Sequence, residues 1–210
     1  MLGLVKKDFF IIKANLKSML IIFFVYFIMT LQGSFDIAFV IPIIGVMLFI
    51  STFSYDDFNN WNAYAATFPN GRKNVVRAKY VSSIFFMIVL TVISFDVSIL
   101  VNYFRVNNIN VESTISSLMG TVLSVVIMIS LLYPIIFKFG STNGRIILFA
   151  LVFGIAAIAG FIAKFVDMSF VIDAVNLLEN YVYVAIPIVS IILLFISYLI
   201  SNKIYKNKEF

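Results

Sequence analysis

The sequence has no cysteine and no histidine. That excludes disulfides, thiol nucleophiles, Ser-His-Asp triads, and zinc or haem sites built on those side chains. Charge is scarce too: 12% of residues are charged, against about a quarter in an ordinary globular protein. No G-x-x-x-x-G-K-[ST] phosphate loop occurs, and the nearest glycine cluster, 140–145, lacks both the lysine and the spacing. Any ATP chemistry would therefore belong to a separate chain. What remains is apolar: 62% of the chain is hydrophobic and the mean hydropathy is +1.09. So few charges cannot cover a folded surface with polar groups, and lipid must supply part of the solvent. The chain reads as an integral membrane protein.

Charge-free runs cover 18–35, 37–55, 113–137, 146–163 and 180–202, and a sixth run, 80–104, carries one charge, Asp96. At ~1.5 Å per helical residue each run crosses, or nearly crosses, ~30 Å of hydrocarbon. The runs are continuously apolar rather than alternating, which favours helices over a barrel. The expected fold is all-α, with six transmembrane helices in one domain, 1–210. With the N-terminus inside, 13 Lys and Arg fall on the inner side, and only Arg105 and Lys164 fall outside. The positive-inside rule then puts both termini in the cytoplasm. Tyr55, Tyr80 and Tyr205 fall at inner boundaries, with Tyr103, Tyr181 and Tyr183 at outer ones, as in an aromatic belt. The first run is long for a signal peptide and no small-x-small cleavage site follows it, so it is read as retained.

Three stretches outside the spans carry information. Segment 1–17 holds Lys6, Lys13 and Lys17 on one helical face and Leu2, Val5, Phe9, Ile12 and Leu16 on another. It is either a basic flank that fixes topology or an interfacial helix on the inner leaflet. In the loop 56–79, Asp56 and Asp57 suit a helix start, and Phe58, Trp61, Ala65 and Phe68 recur at helical spacing beside Tyr64. Pro69-Asn70-Gly71 ends that helix with turn chemistry. The aromatic face either lies among headgroups or docks a cytoplasmic partner. Segment 165–179, with Asp173, Asn176, Glu179 and Asn180 on one side, is either a short outer helix or a hinge. Small residues at Ser116, Gly120 and Ser124, and at Ala150–Gly154 and Ala156–Gly160, suit close helix packing within the subunit. Pro42, Pro134 and Pro187 interrupt three spans.

Asp57, Trp61, Tyr64, Phe68-Pro69, Arg72-Lys73, Arg77 and Lys79-Tyr80, at these spacings, resemble the loop of small type-two ATP-binding-cassette exporter permeases. The opening Leu4, Lys7-Asp8-Phe9 is similar to the start of those proteins, and phenol-soluble-modulin-type exporters share the size and pattern. The resemblance implies an N-terminal elbow helix over 1–17 and a cytoplasmic coupling helix over 57–68, between the second and third spans. It implies docking of a separate ATPase by Asp57, Phe58, Trp61, Tyr64, Ala65, Phe68, Pro69, Arg72 and Lys73. Lys138, Gly140 and Arg145 would form a second, shorter contact. ATP and Mg would then bind on the ATPase, with no cofactor, metal or catalytic residue in this chain. The implied partners are that ATPase, a second permease subunit and membrane lipids, with no nucleic acid, in a bacterial cell membrane.

Cargo is expected to be an amphipathic peptide or lipophilic compound, because the spans offer few polar partners to a hydrophilic solute. Phe24, Tyr26 and Phe27 of the first span, with Ile44 and Phe49 of the second, would face it. Asp96, high in its span, serves either the pathway or the outer interface. The rival readings are a secondary transporter or channel working without an ATPase, an intramembrane enzyme, and a non-transporting immunity or assembly protein of the same fold. The enzyme reading lacks an acid-base or metal constellation.

Overall fold

The computed structural model describes residues 2–31, 37–106, 111–162 and 168–208, and the side chains of 31–43, 105–113 and most of 148–184 lie outside that description. The described elements are all helical: α1 (Leu2–Leu31), α2 (Ile37–Phe58), α3 (Trp61–Ala66), α4 (Gly71–Val106), α5 (Val111–Ile162) and α6 (Met168–Lys206). Among the described residues, four stretches are long and apolar enough to cross a membrane: Leu2–Thr30, Gly71–Val101, Thr114–Ile147 and Ala185–Lys206. The two other expected spans, 37–55 and 146–163, fall in α2 and the second half of α5. Part of each lies outside the described side chains.

Two expected boundaries are absent. α1 runs unbroken through residue 17, so no separate elbow precedes the first span. Nothing between Leu4 and Leu31 is glycine or proline, and extending a nucleated helix costs little. Likewise 168–179 does not form a helix of its own, because α6 is continuous from Met168 to Lys206 with Pro187 inside it, and 165–167 lie outside the described residues. By contrast, α5 breaks at Gly140, whose φ of 82° and ψ of 172° are not helical. A straight helix would hold residues 136 and 144 ~12 Å apart. Instead, a Cβ built on Gly144 would lie 3.2 Å from the Ile136 Cα. The chain therefore reverses at Gly140 as a tight helical hairpin.

Much of the described outer surface is apolar. Ile21, Phe24 and Ile28 of α1, Phe85, Ile88 and Val92 of α4, and Ile188, Ile191 and Phe195 of α6 are all exposed. Apolar surface this extensive suits lipid rather than water. Several hydroxyls inside the helices donate back one turn, as Thr52 does to the Phe49 carbonyl at 2.8 Å and Thr91 to the Met87 carbonyl at 2.8 Å. Such bonds satisfy polar atoms without leaving the helix.

A large cluster of buried side chains lies toward the end where α1 and α4 begin and α2 and α6 finish. Tyr133 is 1% exposed there, with its ring 4.9 Å from Phe53 and 5.0 Å from Tyr80. Phe137 bridges Phe53 at 5.2 Å and Tyr205 at 5.0 Å. The Tyr80 hydroxyl meets Ser197 at 2.6 Å and Ser201 at 2.9 Å, joining α4 to α6. Tyr80 and Tyr205 are thus core residues rather than members of an interfacial belt, whereas Tyr55 and Tyr103 are exposed. Tyr181 and Tyr183 lie outside the described side chains. Ile44 and Phe49, expected on a cargo-facing surface, are buried and packed in this core. Large apolar side chains on the inner face of a short helix fill the space between neighbours before they can line a cavity.

Candidate functional site

The connection from α2 to α4 differs from the helix expected over 57–68. Asp56 and Asp57 do not start a helix; they sit in the last turn of α2. Asn60 then takes a left-handed conformation, φ 51°, and α3 spans only six residues. Asn70 repeats that conformation at φ 57°, and the Gly71 N–H donates to the Phe68 carbonyl at 2.9 Å. Asparagine tolerates this region better than most side chains. Gly71 is required by contact, since a Cβ there would collide with the Ala65 carbonyl oxygen. Two asparagine breaks therefore cut a short helix out of the longer one that periodicity alone suggests.

The aromatic positions divide between two sides of α3. Ala65 is 2% exposed and faces inward, so it cannot meet a partner. Trp61 is half-buried against the core. Tyr64, Phe68 and Phe58 are 56%, 49% and 85% exposed. Trp61, Tyr64 and Phe68 form a row, with ring centroids 5.3 Å and 5.1 Å apart. Pro69 and Lys73 are exposed, and Arg72 donates to the Lys206 carbonyl at 2.6 Å.

Beneath α3 lies a knot of four charges. The Lys79 ammonium sits 2.9 Å from Asp8 and 2.7 Å from Asp56. Lys7 pairs with the other Asp56 oxygen and lies 3.7 Å from Asp8. The Ser82 hydroxyl donates to the second Asp8 oxygen at 3.2 Å. Asp8, Asp56 and Lys79 are essentially inaccessible, and such burial is tolerable only because the charges alternate and sum to zero. Two aromatic faces complete the shell, with Lys7 4.7 Å from the Trp61 ring centre and Lys79 4.8 Å from that of Phe53. The knot ties α1, α2 and α4 together directly under the exposed aromatic row.

Asp57 joins this connector to the α5 corner. One of its oxygens accepts the Asn62 amide at 2.8 Å and the other accepts the Ser141 backbone N–H at 2.6 Å. The Tyr205 hydroxyl donates to Asn62 at 2.9 Å, and Lys208 donates to the Phe137 carbonyl at 2.9 Å. Burial holds the Lys208 pKa below its ordinary value, with Asp57 pulling the other way. Arg145 reaches Ser54, while Lys138 is exposed over the Phe139 ring. The connector between α2 and α4 and the α5 corner at Gly140 therefore adjoin through Asp57 and Arg145.

The remaining expected residues lie elsewhere. Asp96 is exposed on α4. Phe24 and Tyr26 are exposed on α1, and Phe27 is half-buried, stacked 6.0 Å from Phe23. Ser116, Gly120 and Ser124 face outward rather than into the subunit, and a Cβ on Gly120 would meet nothing within 4 Å. Sequence reasoning singled out Lys7-Asp8 and Lys79 only as marks of the resemblance and did not pair them, and it missed Asn62 and Ser141 as parts of the site.

Apolar helices, an exposed lipid-compatible belt and a basic end carrying both connectors define a multi-pass α-helical membrane protein. Over residues 3–206 the chain matches the family model described as ABC-2 family transporter protein, and it belongs to that family. Membership implies, in general, a partner ATPase subunit. No curated protein and no solved structure matches the chain.

Proposed function

We propose that this chain is the membrane-spanning subunit of an ATP-driven exporter. It pairs with a second permease subunit, and each permease docks a separate cytoplasmic ATPase that binds ATP and Mg. This chain itself catalyses nothing. The observation that carries the reading is the exposed row of Tyr64 and Phe68 on α3, held by Asp57 and the charge knot to the ends of four other helices. A partner that pushes on α3 pushes α1, α2, α4 and α5 together, which is what coupling to ATP requires. The basic end is cytoplasmic in this reading, because it carries nearly all the lysines and arginines, and the membrane is the bacterial cell membrane. Six spans follow from adding α2 and the second half of α5 to the four candidate spans.

The cargo is amphipathic or lipophilic. Phe24 and its exposed neighbours offer an apolar wall along which such a molecule moves without stripping polar groups of their partners. The test is ATP hydrolysis by the complex reconstituted in liposomes. Amphipathic helical peptides should stimulate it, whereas sugars and inorganic ions should not. Stimulation by sugars or ions alone would overturn the cargo assignment.

A further inference from the structure

An apolar groove of about 470 Å³ opens between α4, α5 and α6, lined by Tyr80, Ile84, Ile88, Val126, Ile191 and Tyr198, among others. A second hollow of about 250 Å³ continues it past Thr91, Leu118 and Val122. The two share Pro187 and Ser190, so they form one channel along α6. Their joint volume suits a small-molecule site of about 300–1,000 Å³. From Tyr80 to Thr91 the groove follows α4 for ~16 Å, parallel to the helix and therefore to the acyl chains of a bilayer. Its rims, Ile88, Ile191 and Phe195, are exposed.

The basic end of this groove is marked by charge. Arg77 lies on the same face of α4 as Tyr80, Ile84 and Ile88, one turn before the groove begins. Its Nε donates to the Tyr198 hydroxyl at 3.2 Å, which aims the guanidinium across the groove mouth. Arg77 is exposed, and among the described residues no carboxylate pairs with it. The nearby acids Asp8 and Asp56 are taken by Lys7 and Lys79, and Asp57 by Ser141 and Asn62. An apolar slot that ends at an oriented arginine with no carboxylate partner among the described residues, at the membrane boundary, complements a molecule with an acyl chain and an anionic head.

We infer that this groove binds one anionic phospholipid of the leaflet at the basic end, with its acyl chain between α4 and α6 and its phosphate on Arg77. The site lies apart from the α3 surface and does not depend on ATPase docking. Lipid bound there fills the space beside Pro187, so it holds α6 against α4 and α5 where that helix carries its proline.

The test uses the full chain in phosphatidylcholine vesicles doped with a diazirine-acyl lipid carrying either a phosphatidylglycerol or a phosphatidylcholine head. Photo-crosslinks should concentrate in 84–91 and 187–195. The anionic probe should exceed the zwitterionic one by about five-fold, the effect of one basic residue against an anionic headgroup. Arg77→Gln should equalise the two probes while leaving the groove labelled, and Ser190→Phe should remove the labelling by filling the slot. The wild-type comparison of headgroups needs no variant to fold. Equal labelling by both heads, or labelling spread evenly over the exposed faces of α1 and α6, would overturn the proposal. So would ready disulfide crosslinking of two copies of Ile191→Cys in this otherwise cysteine-free chain, because a second subunit would then occupy the groove.

Discussion

The carboxylate of Asp57 accepts the backbone N–H of Ser141 at 2.6 Å, joining two connectors that lie 84 residues apart. Asp57 sits at the C-terminal end of α2, where a helix dipole disfavours negative charge, but it faces the first turn of the helix after Gly140, where the dipole favours it. One bond thus offsets an unfavourable placement and fixes the α5 corner to the base of α3.

Asp57→Ala should lower stability by about 2 kcal/mol, the worth of a charge-assisted hydrogen bond plus the orphaned N–H of Ser141. Asp57→Asn, which retains an acceptor, should lose clearly less. Unfolding in mixed micelles, followed by far-UV circular dichroism, measures both. Equal stability of wild type and Asp57→Ala would show that the bond does not hold the corner.

The charge knot predicts a ranking. Lys79 is buried between two carboxylates, whereas Lys7 keeps 25% of its side chain exposed. Lys79→Met should therefore cost about 3–5 kcal/mol, the usual effect of stranding a buried partner, and Lys7→Met distinctly less. Combining Lys79→Met with Asp8→Asn should recover part of the loss, because one negative charge leaves with the positive one. A double variant that is less stable than Lys79→Met alone would contradict the pairing.

Gly71→Ala should destabilise the chain by roughly 1–3 kcal/mol, because the added methyl must displace the Ala65 backbone. Gly3→Ala, where nothing lies within 4 Å, is the control and should be neutral. Thermal unfolding of the two proteins side by side decides it.

Membrane character was legible in the sequence because apolar runs and lysine positions act locally and additively. The connectors were not. Aromatic spacing over 57–68 fits one helix, and only the left-handed turns at Asn60 and Asn70 reveal that the helix is six residues long. Asp56 and Asp57 have the chemistry of helix starts, yet lysines on α1 and α4 draw Asp56 inward, and those partners lie 49 and 23 residues away. Phe49 and Ile44 read the same as lipid- or cargo-facing residues, because an apolar side chain carries no record of what it touches. Of the residues expected to dock a partner, Tyr64 and Phe68 are open, whereas Ala65 is sealed underneath and Trp61 half-covered.

Orientation has its own check. A reporter active only outside the membrane should stay silent when fused after Asn70, Asn143 or Lys208, and should work after Asn108 or Asp173. Activity at Asn70 would reverse the bundle and place α3 on the wrong side for any cytoplasmic ATPase.

The central claim is that α3 docks a separate ATPase, and co-purification tests it most directly. A co-expressed ATP-binding-cassette ATPase from the same organism that forms a complex with this chain should be retained by the tagged wild-type permease. Tyr64→Ala combined with Phe68→Ala should reduce that retention at least tenfold, because two exposed interface aromatics are worth roughly 2 kcal/mol or more each when central. The variant should still elute as a monodisperse, helical protein. Undiminished retention of the ATPase by a folded double variant would contradict the account.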